Sequence, residues 1–180
     1  MKKIKQIINT KKDKHIMIFL YIITLLLFLF FGLQCNNPYL VDETGTIAPG
    51  AYLSGYDWST TNYCMGNYPY KYFQSLFYIP ILKLINNPFL IYKAIVIIQG
   101  ILYSIIPVLV YYLLRKCLKV KSKIKSSIIS LLTALLPTPF LLSTYVTADL
   151  LLTIIPWIII ILLCISFDNQ DKKKQNIYTI

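Results

Sequence analysis

Apolar and polar positions in this chain fall into long blocks and do not alternate. A lysine-rich stretch over residues 1–14 is followed by an apolar run of 18 residues, Ile16 to Leu33. That is the length a helix needs to cross ~30 Å of hydrocarbon at ~1.5 Å per residue. The first transmembrane helix is therefore predicted at 15–34. A cleaved signal peptide is the alternative, but small residues at the cleavage positions are missing and the bulky Gln34 precedes Cys35. The run reads as a retained signal anchor.

Residues 35–88 are polar, rich in Gly and Tyr, and punctuated at Asn36-Asn37-Pro38, Pro49-Gly50 and Asn86-Asn87-Pro88, which predicts a large loop with turns at those points. Within it, the apolar stretch about 72–86 contains Pro80 and is short for a crossing. It is predicted as an interfacial helix. Asn87 suits a helix cap and Pro88 a first helical turn, so a second span is predicted at 89–114. Gly100 and Ser104 within it form either a small-residue pair that lets a neighbouring helix approach or an incidental spacing. A basic loop at 115–125 precedes a third span at 126–145, whose far half Pro137-Thr138-Pro139 must distort. A fourth span at 148–167 leads to a polar tail, 168–180. The predicted fold class is an all-α membrane protein of four transmembrane helices, with a large outer loop containing short interfacial helices.

Composition agrees with lipid as the solvent: 57% of residues are hydrophobic, 14% are charged and the mean hydropathy is +0.62. The net charge of +11 would suit nucleic acid if the cations shared one face with interleaved aromatics. They lie instead in clusters between apolar runs: Lys2, Lys3, Lys5, Lys11, Lys12 and Lys14; Arg115 to Lys125; Lys172 to Lys174. Nucleic acid is thereby disfavoured as a partner, and the bilayer is favoured. Clusters of Lys and Arg stay on the cytoplasmic side, which predicts a multi-pass protein of the inner cell membrane with both termini cytoplasmic. Cys35, Cys64, Cys117 and Cys164 show no metal-ligand spacing. Cys35 and Cys64 share the outer loop, where a disulfide is one option, whereas Cys117 and Cys164 read as buried or interfacial thiols.

Chemistry has few places to reside. Of seven carboxylates, Asp13, Asp168 and Asp171 are assigned to the cytoplasmic tails, leaving Asp42, Glu43, Asp57 and Asp149 on the outer face. Adjacent acids such as Asp42 and Glu43 repel, which raises one pKa towards general-base use; a solvated loop pair is the plain alternative. Asp57 and Trp58 lie in Gly55-Tyr56-Asp57-Trp58-Ser59, where the aromatics suit either a sugar or the interfacial belt. Asp149 opens the fourth span, where the helix dipole favours a carboxylate whatever its use. Lys71, Lys83 and Lys93 are the outer cations, each either a phosphate contact or a snorkelling side chain, the latter favoured for Lys93. His15 reads as a flanking polar residue.

In order along the chain, these features resemble the integral-membrane GT-C glycosyltransferases, a superfamily that includes protein O-mannosyltransferases and aminoarabinose transferases. The resemblance rests on the basic tail and first span, Val41-Asp42-Glu43, the stretch Gly50 to Ser59, Ile79-Pro80-Ile81 and Asp149 in the second outer turn. It covers roughly Ile16 to Phe167, and the chain looks like the N-terminal portion of such an enzyme. The resemblance implies inverting transfer of a sugar from a polyprenyl phosphate to an acceptor hydroxyl, with Asp42 as base and Glu43 supporting the site or a divalent metal. It also implies that Asp149 lines the site; Asp57, Trp58 and Lys71 join it as candidate substrate contacts, and a second polypeptide is a candidate source of missing helices. The alternative is a non-catalytic multi-pass subunit or remnant whose outer loop binds a partner. A transporter or channel ranks below both, because no span carries an ionisable residue at mid-depth.

Overall fold

The computed structural model describes residues 2–34, 41–56, 69–137, 140–141 and 149–177, with side chains described for 11–34, 47–56, 73–137, 140–141 and 150–167. Every regular element among them is helical. In chain order these are α1 (Lys2–Gly32), α2 (Val41–Leu53), α3 (Pro69–Leu76), α4 (Ile79–Leu84), α5 (Pro88–Tyr103), α6 (Ile106–Tyr112), a π-helical turn (Leu113–Cys117), α7 (Lys123–Ala134) and α8 (Asp149–Ile177). Among the described residues three stretches are long and apolar enough to cross a membrane: Lys11–Gly32, Pro88–Cys117 and Leu150–Phe167. Such a set suits a multi-pass membrane protein.

The first crossing is continuous with its basic tail, which the helix incorporates from Lys2 onwards. The second is not one straight rod. Pro107 has no N–H to offer the preceding turn, and the helix breaks between Tyr103 and Ile106, with the Ser104 hydroxyl donating to the Gly100 carbonyl at 2.6 Å. Beyond Tyr112 the turn widens, and Leu118 N–H bonds the Leu113 carbonyl at 2.9 Å, five residues back. At its start, the expected cap is present: the Asn87 side chain accepts from the N–H groups of Phe89 and Leu90 at 3.0 and 3.3 Å, ahead of Pro88.

The first two crossings pack closely because small residues face large ones. A Cβ added to Gly100 would lie 2.8 Å from Phe28 Cδ1, and one on Gly32 would lie 2.9 Å from Val96 Cγ1. Gly100, of the Gly100–Ser104 pair, is thus where α1 approaches the second crossing. Phe28 is fully buried there and meets Tyr103 and Phe140, with ring centroids 5.4 and 5.9 Å apart. Tilted and edge-on pairs of this kind contribute ~0.5–1.5 kcal/mol each beyond their burial.

α7 differs from the span expected at 126–145. It covers 12 residues, or ~18 Å at the helical rise, and ends at Ala134, three residues before Pro137. That proline disfavours a helical conformation at Leu136 and removes a donor. Its final carbonyl, on Ala134, accepts from the Tyr103 hydroxyl at 2.8 Å. Ser126, Ser130 and Ala134 form the buried stripe against the bundle, while Ile124, Ile128 and Leu132 are exposed. Residues 142–148 lie outside the described residues.

The loop following α1 is more helical than its turn signals predicted. Pro49 and Gly50 lie inside α2. The reason is packing: a Cβ on Gly50 would lie 2.9 Å from the Ser75 carbonyl oxygen and 3.2 Å from Leu82 Cδ1, so α2 rests directly on α3 and α4. The single interfacial helix expected over about 72–86 is two short helices, α3 and α4, broken at Phe77–Tyr78 just ahead of Pro80. Cys117 and Cys164 are half-buried and in no disulfide, and Cys35 and Cys64 fall outside the described residues.

The Gly100 contact carries a direct test. Gly100→Leu should lower the unfolding free energy in detergent micelles by ~1–3 kcal/mol through overpacking against Phe28. Ile97→Leu, on the exposed side of the same helix, should leave the unfolding midpoint where it is.

Candidate functional site

Two ends of the bundle are chemically distinct. At the loop end, α1 stops at Gly32, and the Leu33 carbonyl beyond it accepts from Lys93 Nζ on α5. The ammonium also lies 5.4 Å from the Phe89 ring centroid. Lys93 therefore places its charge at the negative end of the α1 dipole, which is a more specific role than snorkelling to the interface.

α2 then closes with a Schellman turn. Gly55, at φ +94°, sends its N–H to the Tyr52 carbonyl at 3.0 Å, and Tyr56 N–H reaches the Ala51 carbonyl at 3.1 Å. The tight turn anticipated at Gly55 is thus a helix C-cap. The Tyr56 hydroxyl donates to the Leu82 carbonyl at 2.9 Å and fastens the end of α2 to α4. Between them is an open, polar cavity of about 420 Å³ lined by Ser54, Gly55, Tyr56, Leu82 and Lys83.

Beneath this groove is a buried polar seam. The Tyr78 hydroxyl accepts from Gln74 Nε2 at 2.8 Å and from Gln99 Nε2 at 3.2 Å, and all three residues are fully buried. Burial pushes the Tyr78 phenol up to about 12, although both amide hydrogen bonds act in the opposite direction. The seam joins α3 and the start of α4 to the middle of α5.

The charged cluster at the opposite end was not anticipated. Asp13 is only 4% exposed, not a solvated residue of the tail. Its Oδ1 accepts from the Tyr111 hydroxyl at 2.9 Å and lies 3.2 Å from Lys123 Nζ and 3.6 Å from Arg115 Nε. Arg115 Nη1 in turn donates to the carbonyls of Val120 and Lys121, the latter at 2.9 Å, and so shapes the basic turn, where Lys119 takes a positive φ of 54°. The tail and the basic loop are therefore neighbours in space, on the same end of the bundle. Two sequence signals pointed here: a lone acid among six lysines, and Tyr111 and Arg115 four apart at the end of a span.

The predicted site residues have the following positions. Asp42 and Glu43 are the second and third residues of α2, Lys71 is the third of α3, and Asp149 is the first of α8. Their side chains are outside the described set, as are Asp57 and Trp58 altogether. The fold brings α2, α3 and α4 into one packed layer following the end of α1. Among the described residues no group of three or more His, Cys, Asp or Glu is arranged to hold a metal. The His15 ring bonds the Lys11 carbonyl through Nδ1 at 2.7 Å, within its own helix.

Comparison of the chain with protein families, with characterised proteins and with solved structures yields no match.

Both buried clusters give measurable expectations. Asp13→Ala leaves Arg115 and Lys123 without their carboxylate and should cost ~3–5 kcal/mol of unfolding free energy in micelles. Tyr111→Phe, which removes one hydrogen bond to that charge, should cost less, ~1.5–3 kcal/mol.

At the other end, Tyr78→Phe deprives two amide donors of their acceptor and should cost ~1–3 kcal/mol at neutral pH. The folded pKa of Tyr78 is above the ordinary value of 10.0. Its contribution is therefore complete below about pH 10 and is lost as pH rises towards 12. The stability gap between wild type and Tyr78→Phe should narrow over that window in pH-dependent melts.

Proposed function

We propose that this chain is the N-terminal part of a membrane glycosyltransferase that moves a sugar from a polyprenyl-phosphate donor to an acceptor on the outer face of the membrane. The observation that carries the reading is the position of Asp42 and Glu43. They fall in the first turn of α2, shortly after the first crossing, and α2 is held by α3 and α4. A general base needs such a mount: a rigid element close to the depth at which a lipid-linked head group is presented.

In this reading Asp42 accepts the proton of the acceptor hydroxyl. The oxygen forms a bond to the anomeric carbon as the bond from that carbon to the phosphate oxygen breaks, with inversion. The polyprenyl phosphate leaves with the electron pair. Glu43 supports the site or a divalent cation, and Asp57, Trp58, Lys71 and Asp149 contribute substrate contacts. Tyr56, which lines the groove beside Ser54 and Lys83, immediately precedes Asp57 in the sequence. A fourth crossing formed by 126–145, and an orientation with both termini in the cytoplasm of an inner cell membrane, belong to the same reading.

The bundle also has room for partners. Only 22% of the most apolar window in Lys11–Gly32 and 17% of that in Leu150–Phe167 is buried, leaving apolar faces for lipid or for helices of a second polypeptide. A non-catalytic subunit whose loop binds a partner is the competing reading.

The test is sugar transfer from a radiolabelled polyprenyl phosphate in membranes containing the chain. Asp42→Asn should reduce transfer by ~10²-fold or more while leaving the protein level unchanged. Transfer that is indifferent to Asp42→Asn would remove that residue from the mechanism and favour the non-catalytic subunit.

A further inference from the structure

The neutralised Asp13 cluster borders a cleft of about 170 Å³ between the start of α1 and the end of the second crossing, where Lys14, Met17, Tyr112, Arg115 and Lys116 join Asp13 in the lining. The surface it offers is apolar, although charged residues contribute to its lining. Lys14 and Lys116 are exposed cations, and no ion pair engages either among the described residues. Met17 and Tyr112 supply an apolar wall at the point where the polar tail gives way to the apolar run of α1. Asp13 adds little repulsion, because Lys123, Arg115 and Tyr111 already hold it. The remaining field is positive, and Lys11, Lys12, Lys121 and Lys125 lie nearby in the chain.

From this pairing of an apolar cleft with two exposed cations we infer that the cleft binds an anionic membrane lipid through its phosphate. The phosphate is held by Lys14 and Lys116, and the glycerol and first methylenes lie along Met17 and Tyr112. Three observations support a lipid over a free anion. The cleft is at the boundary of two spanning helices, where head groups are concentrated. The surface inside the cleft is apolar, which a hydrated inorganic ion would leave unused. Juxtamembrane cations gain their attraction from a negatively charged leaflet, and basic pockets between crossing helices suit phospholipid head groups. The site is at the opposite end of the bundle from Asp42 and does not depend on the glycosyl-transfer reading.

The full chain in a maltoside micelle, exposed to phosphatidylglycerol or phosphatidylcholine and analysed by native mass spectrometry, provides the test. The wild type should retain phosphatidylglycerol in preference to phosphatidylcholine. The double variant Lys14→Gln/Lys116→Gln should retain it roughly tenfold less. A second pair, Lys121→Gln/Lys125→Gln, removes the same charge from the same end but outside the cleft, and should retain the lipid nearly as well as wild type. Met17→Trp, which fills the cleft and keeps every charge, should displace the lipid. Equal losses in both lysine pairs, with Met17→Trp silent, would overturn the site in favour of diffuse surface attraction. Millimolar inorganic phosphate or glycerol phosphate should leave the bound lipid in place; displacement by either would overturn the lipid assignment in favour of a soluble phosphate ligand.

Discussion

A carboxylate removed from water must find its counter-charges within the protein or lose its ionisation, since an uncompensated buried ion costs several kcal/mol. Asp13 meets that requirement by drawing Tyr111, Arg115 and Lys123 to one oxygen. These residues belong to α6, the π-helical turn and α7, so a single ion ties the start of the first crossing to the end of the second and to the helix that follows. The widened turn at Leu113–Cys117 is part of the same arrangement, because Arg115 lies within it and also holds the carbonyls of the basic loop. Once this end is pinned, Phe28 falls opposite Gly100, and Gly32 opposite Val96. The Leu33 carbonyl then comes within reach of Lys93.

The segment between the first two crossings builds a second layer on this hairpin. Gly50 allows α2 to touch the backbone of α3, Gly55 turns the chain back, and Tyr56 and Tyr78 fasten the layer through hydroxyl groups. The consequence for function is rigidity: Asp42 and Glu43 begin a helix anchored at its far end, not a free loop. Under the proposed glycosyl transfer, a base mounted in this way would keep its distance to a membrane-borne substrate.

Block hydropathy located all three long apolar helices, because lipid imposes a length requirement that sequence displays directly. Asn87 and Pro88 were equally legible, since a cap depends on residues within one turn. Pro49 was misread as a turn because the compensating contacts, at Ser75 and Leu82, come from elsewhere in the chain. In the segment expected as the third span, α7 ends at Ala134, ahead of Pro137, as the prolines had warned, and residues 142–148 lie outside the described residues. Asp13 was assigned to the tail because its partners are about a hundred residues away, and the local signals, a lone acid among lysines and Tyr111 four before Arg115, do not say which residues meet. Gln99 was hidden in the same way, its role visible only once Tyr78 is placed beside it.

The contact between Lys93 and Leu33 has a consequence for biogenesis. These residues are 60 apart and Tyr111 is 98 from Asp13, so a ribosome adding ~5–20 residues per second makes the two partners seconds apart. During that interval α1 enters the insertion machinery with its far end uncapped and its carboxylate unneutralised. The partner of Leu33 is made before the partner of Asp13, so the acid near the amino terminus is the last to be satisfied.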